Sequence, residues 1–147
     1  MRLPPGLILS IEDAPAGPDV EALPDGLEVY NEAHWPGHQP WQPLGIFLRR
    51  GGTVAAGLAG ESYAGWFFIR YLWIEEALRH RKLGSQLIAM AEQRARDRGC
   101  HGIYVDTFSF QAPEFYRKLG YAEFGRLPYP PKGERIFLRK ALEPPPA

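Results

Sequence analysis

The chain has 147 residues, enough for one ordinary domain with a real core, and its 45% apolar and 13% aromatic content excludes an intrinsically disordered polymer. Seventeen Lys and Arg cancel seventeen Asp and Glu, so no global field recruits nucleic acid or an anionic membrane. A single cysteine, Cys100, rules out an intrachain disulfide and any multi-cysteine metal site.

From the N-terminus, "MRLPPGLILSIEDAPAG" lacks the shape of a secretory leader, because Glu12 and Asp13 follow a short apolar run at once. Within it Leu7 to Ile11 reads as a first strand. Residues Pro18 to Ala33 form a helical candidate interrupted by Pro24 and Gly26, and "HWPGHQPWQP", His34 to Pro43, is loop by its proline and glycine content. "PLGIFLRRGGTVAAGLAG" predicts two strands joined at Gly51-Gly52. Gly65 to Ile74 is a β-type run rich in aromatic and branched residues. It is too short to span a bilayer and carries Arg70 at its centre.

There the period changes. Leu83, Leu87, Met90, Ala91 and Ala95 recur at helical spacing, and Gly99 stops the helix. His101 to Phe110 returns to strand. Ala112 to Gly120 is a short helix with Pro113 in its first turn and Gly120 at its end, and "YAEFGRL" and "GERIFLRKAL" supply two closing strands. The proline tail from about residue 143 is expected to fray. No linker splits the chain, so residues 1–147 read as a single α/β domain, a mixed sheet with one central crossover. A cytoplasmic location is the default expectation, with no membrane and no nucleic-acid partner.

The loop "RHRKLGS", Arg79 to Ser85, links strand to helix. Free N–H groups and the positive end of the helix dipole favour a phosphate there, and Arg79, Arg81 and Lys82 add cations. Gly84 would let a ligand approach the backbone, and Ser85 could cap the first turn or bond an oxygen. The alternative is a merely solvated helix start, which cations at the positive dipole end disfavour. The glycine spacing fits neither a Walker loop nor the dinucleotide fingerprint.

Three linked stretches resemble the GNAT superfamily of N-acetyltransferases. "RHRKLG" is similar to that family's signature loop at Arg79 and Gly84, with Lys82 where a glycine is usual. "LWIEEALR" resembles the strand end that precedes the loop. "SFQAPEFYRKLGY" resembles the family's downstream pattern at Ala112, Tyr116 and Leu119-Gly120-Tyr121. The resemblance implies a three-layer fold with a central mixed, mostly antiparallel twisted sheet of six to seven strands and helices on both faces. It implies acetyl-CoA as donor and no metal, with the diphosphate on the amides from Arg81 through Leu83 to Ser85. The pantetheine arm would lie along Leu72, Trp73 and Ile74, with Ser109 where many members carry an asparagine facing the arm. It also implies a homodimer, by family likeness alone.

Acetyl transfer needs a neutral amine, a thioester within attack distance and a proton for the departing thiolate. By the resemblance Tyr116 is that proton donor, its alternative being a core aromatic between Phe115 and Tyr121. An N–H near Trp73 or Ile74 would stabilise the tetrahedral oxygen. Phe68 occupies the position of a glutamate base found in some members, so no base is assigned. Glu75, Glu76, Asp106, His34 and His38 are candidates. The acceptor, a small-molecule amine or a protein amine, would lie near Tyr30, Asn31, His34, Trp35 and Trp41, unless the two tryptophans are core residues. The rival function is a non-catalytic acyl-CoA-binding module.

Overall fold

The structure, a computed structural model, describes residues 1–143, so the proline tail expected to fray falls outside them. Two compact units make up the chain, Met1–Gly37 and His38–Ala147. In the first, α1 spans Gly17–His34 with proline at its first turn, where the missing N–H costs nothing, and Asp19 beside the positive dipole end. The helix closes on the Trp35 N–H, which donates to the Asn31 carbonyl at 2.7 Å. It runs through Pro24, which forfeits one internal bond without ending the helix. Leu7 to Ile11, expected as a strand, is irregular. β-forming side chains make a strand only where a neighbouring backbone completes the ladder.

The second unit holds one sheet. Its strands are β1 (Gln42–Arg50), β2 (Thr53–Tyr63), β3 (Trp66–Ile74), β4 (Gly102–Phe108), β5 (Ala122–Tyr129) and β6 (Gly133–Ala141), in the order β1-β2-β3-β4-β6-β5. Only β3 and β4 are parallel, because α2 (Leu83–Asp97) carries the chain between them; the other neighbours are antiparallel. Gly51 and Gly52, at φ 57° and 88°, supply the paired left-handed residues of a tight hairpin turn. The short α3 (Pro113–Lys118) follows β4.

Six strands thus form the mixed sheet expected of the fold class. Phe67 and Ile69 of β3, Ile103 and Val105 of β4, and Ile136 and Leu138 of β6 turn to one face, where α2 and α3 join the same core. Each such fully buried side chain contributes roughly 2 kcal/mol of transfer free energy. On α2 the buried row is Leu87, Ile88, Ala91 and Ala95, while Met90, read from the periodicity as a core residue, is exposed. Glu92, also buried on α2, accepts from the Tyr121 hydroxyl at 2.8 Å and from Lys140 Nζ at 3.0 Å, which compensates its desolvation. Trp35 and Trp41 are both exposed, which removes the core reading for either. Among the described residues no helix is long and apolar enough to cross a membrane.

Candidate active site

A bulge on β3 creates the site. β2 and β3 pair as Ala59↔Tyr71 and then Gly60↔Ile69, so Arg70 is an extra residue. Gly60 permits this close approach: a Cβ there would lie 2.9 Å from Phe67 Cε1 and 3.1 Å from the Phe68 carbonyl carbon. The bulge shifts the strand's alternation, so Ile69 and then Leu72 meet the core. The parallel ladder with β4 runs from Trp66↔Gly102 only to Ile69↔Val105, although β3 continues to Ile74 and β4 to Phe108. Beyond that point the two strands part.

The backbone of the parted segment is polarised toward the gap. The Glu75 N–H donates to the Ala55 carbonyl at 3.0 Å, and the same register directs Tyr71 and Trp73 to β2. The N–H and C=O groups of Leu72 and Ile74 therefore point away from β2 toward the gap. The resulting cavity of about 370 Å³ is walled by Leu72 and Trp73 on one side, Thr107 and Phe108 on the other, and Ala112 and Tyr116 of the α3 segment.

At the edge of the gap a single 3-10 turn, Glu76–Leu78, leads into α2. His80 and Lys82 both adopt left-handed φ, 64° and 60°. Lys82 stands where the signature loop has glycine, and it takes the conformation that glycine takes most easily. The first bond of the helix joins the Gln86 N–H to the Lys82 carbonyl, which leaves the N–H groups of Leu83, Gly84 and Ser85 without intrahelical acceptors. Arg81 and Lys82 are exposed beside them. Arg79 Nε donates to the Ile74 carbonyl at 3.1 Å and ties the loop to the strand end. Ser85 Oγ donates to the Lys82 carbonyl at 2.9 Å. A Cβ on Gly84 would face inward, 3.1 Å from Phe115 Cζ and 3.4 Å from Ile74 Cδ1, so this glycine serves the packing of the helix start against the cavity wall.

Tyr116 is buried on α3, edge-on to Phe115 at 5.1 Å and to Tyr121 at 5.8 Å. Its position is fixed by the chain turn after it: the Leu119 and Tyr121 N–H groups both donate to the Tyr116 carbonyl at 3.0 Å, with Gly120 at φ 95°. Burial, with a smaller contribution from the charge of Asp106, pushes the Tyr116 hydroxyl up to about 12. That hydroxyl makes no hydrogen bond among the described residues, yet no buried polar side-chain atom there lacks a partner, so it opens onto the cavity. The proton therefore stays on the phenol throughout the neutral range.

Other expected residues lie elsewhere. Ser109 is turned to β6, where its Oγ accepts from the Glu134 N–H at 3.0 Å. Gln111, which sequence reasoning passed over although it adjoins Ala112, lines the cavity instead: its Oε1 accepts from the Phe108 N–H at 2.8 Å and from Thr107 Oγ1 at 3.1 Å. Its amide nitrogen remains to donate.

Of the candidate bases, Glu75 is paired with Arg50 at 2.6 Å, which holds its carboxyl below the usual range. His38 meets the Tyr63 hydroxyl at 3.1 Å, and His34 contacts the Tyr30 carbonyl at 2.9 Å within the first unit. Asp106 alone of the candidates borders the cavity, with one oxygen 2.9 Å from Arg135 Nη2. Phe68, at the position where the resemblance suggested a glutamate base, stacks on Tyr104 at 4.7 Å.

The Acetyltransferase (GNAT) family matches residues 9–121. An acetyltransferase of Agrobacterium fabrum is 36% identical over 108 residues, which cover 73% of this chain and 78% of that protein. A blasticidin-S acetyltransferase of Streptomyces morookaense is 45% identical over 93 residues, 62% of this chain and 68% of that protein. A crystal structure of an acetyltransferase from Agrobacterium tumefaciens superposes with a TM-score of 0.83 at 31% identity, covering 92% of this chain and 99% of that one. With a parted β3–β4 pair, an open α2 N-terminus and these relatives, the chain belongs to the GNAT family of acetyltransferases.

Proposed function

We propose that the chain is a single domain that transfers an acetyl group from acetyl-CoA to a primary amine by direct attack in a ternary complex. The observation that carries this reading is the gap between β3 and β4, with the Tyr116 hydroxyl on its wall and the amides of α2 at its edge. The N–H groups of Leu83, Gly84 and Ser85 would hold the diphosphate, with Arg81 and Lys82 adding charge. The pantetheine amides would pair with the backbone of Leu72 and Ile74 as an added strand would. The thioester then sits where the Ile74 N–H can stabilise the oxygen that becomes negative on attack.

The neutral amine adds to the carbonyl carbon, the C–S bond breaks, the amine nitrogen releases its proton to water, the thiolate takes a proton from Tyr116, and the phenolate regains one from water. A phenol at about 12 is a weak acid beside a free thiol near 8.5. The same desolvation raises the bound thiol, however, and narrows the mismatch. Tyr116 thus acts first as a hydrogen-bond donor to the sulfur and then as its proton source.

Substitution Tyr116→Phe keeps the packing and removes the proton. Turnover should fall roughly 100-fold or more, while acetyl-CoA affinity by calorimetry changes less than about twofold. Undiminished turnover would remove Tyr116 from this role. A small amine is the preferred acceptor class, consistent with the Streptomyces morookaense relative named for blasticidin S.

A further inference from the structure

The parted strands open the sheet from one face to the other. Along β4, Val105 and Thr107 are buried with the core, so the alternation of the strand turns Asp106 and Phe108 to the opposite face, immediately past the last β3–β4 pair. Tyr116 approaches the same cavity from the core side, and the two sides are close enough for the charge of Asp106 to act on the Tyr116 hydroxyl. An amine arriving opposite the helices therefore meets Asp106 and Phe108 before it reaches the position of the thioester.

The Asp106 carboxylate is only half engaged. Its Oδ2 accepts from Arg135, whereas Oδ1 takes no hydrogen bond among the described residues. Beside it is an aromatic wall: Phe108 lies parallel to Phe110 at 5.2 Å and edge-on to Tyr129 at 5.0 Å, and Phe110 and Tyr129 are both exposed. Three cations lie nearby, one of them offset by an anion of its own. Arg135 holds Oδ2, Arg70 is paired to Glu61 across the sheet, and Lys132 lies 5.7 Å over the Phe110 ring. One free carboxylate oxygen, with Arg135 on its other oxygen and Lys132 on the aromatic wall, suits a single ammonium better than a polycation. A flat apolar wall suits a ring.

We propose that Asp106 binds the acceptor nitrogen through Oδ1 while Phe108, Phe110 and Tyr129 carry the acceptor's body, which selects monoamines bearing an aromatic or flat apolar group. This assignment rests on the gap being the acetyl-CoA site. Asp106 is an acceptor-binding residue here: it holds the ammonium on arrival, the nitrogen gives a proton to water before it attacks, and no proton transfer is assigned to Asp106.

The test is calorimetric titration of the CoA-loaded protein with phenethylamine and with spermidine, on wild type, Asp106→Asn and Arg135→Gln. Phenethylamine should bind wild type more tightly than spermidine does, and Asp106→Asn should weaken it roughly tenfold or more, the loss of one charge-assisted bond. Arg135→Gln breaks the same ion pair but leaves the carboxylate, so it should bind phenethylamine at least as tightly as wild type. Equal weakening in the two variants would reduce Asp106 to a structural partner of Arg135 and overturn the proposal. So would unchanged binding in Asp106→Asn, tighter spermidine binding, or no phenethylamine binding by wild type. If Asp106→Asn does not fold, Phe110→Ala at an exposed position carries the test, with a loss of about threefold or more for phenethylamine expected and no loss overturning the wall. Titration of each protein with acetyl-CoA separates the two readings. Acetyl-CoA binding without the amine effects removes only the acceptor assignment, whereas its failure in wild type removes the donor site as well.

Discussion

Gly60→Ala should act on stability and cofactor affinity together, because Gly60 faces the bulge that parts β3 from β4. The new methyl would lie 2.9 Å from Phe67 Cε1 and 3.1 Å from the Phe68 carbonyl carbon. Phe67 is fully buried and the Phe68 carbonyl is backbone, so neither can rotate aside. Overpacking of this kind costs about 3 kcal/mol at the upper end of its usual range. The smaller unfolded-state entropy of alanine returns about 0.7 kcal/mol. The net loss of about 2 kcal/mol lowers Tm by about 6 °C for a chain of this size. If the strand escapes the clash by losing the bulge, the alternation beyond Arg70 reverses, and the backbone groups of Leu72 and Ile74 turn from the gap to β2. Two backbone hydrogen bonds to the cofactor would then be lost, weakening acetyl-CoA by roughly tenfold to thirtyfold. Thermal denaturation and calorimetry read the two effects. A Tm within about 1 °C of wild type with affinity within about twofold would show that the bulge does not depend on this glycine.

Lys82→Gly removes a left-handed strain of about 1 kcal/mol but adds nearly as much unfolded-state entropy, so Tm should change by less than about 3 °C. Acetyl-CoA affinity should stay within about threefold if backbone N–H groups make the cradle, and a loss of roughly tenfold by calorimetry would place the Lys82 ammonium on a phosphate instead. The Tyr116 hydroxyl titrates near 10 when unfolded and at about 12 when folded. Its contribution, about 3 kcal/mol, is therefore fully present below pH ~10 and is lost as pH rises to ~12. Burial and Glu92 also push Tyr121 upward, so its own loss begins in the same range, near pH ~10, and continues to higher pH in both proteins. Denaturant titrations across that range should fall more steeply for wild type than for Tyr116→Phe, by about 1.4 kcal/mol per pH unit. Parallel curves would contradict the burial of the hydroxyl.

Much of the architecture was legible locally. Gly51-Gly52 set the first hairpin, the change of period after Ile74 set α2, and Pro113 and Gly120 framed α3, because turns, caps and helical faces depend on residues a few positions apart. The same locality explains the errors. Leu7 to Ile11 has strand composition but no ladder, and the helical period could not decide between Ile88 and Met90, since the core sees a face whose width depends on what packs against it. Of the candidate site, the motifs marked Leu72, Trp73, Ala112 and Tyr116, all of which line one cavity, but they gave Ser109 a direction it does not take. The free oxygen of Asp106 had no local signal, for it follows from Arg135 arriving 29 residues later, after α3 and β5, and holding only one side of the carboxylate.

The sequence by itself thus determined most of the elements, because turns, caps and helical faces are written in short-range spacing, and three short motifs in it pointed to the family. Tertiary structure alone decided where the β3–β4 ladder stops. That depends on Gly60 and Arg70 meeting across a bulge, and a register between strands is set only when the two backbones lie side by side.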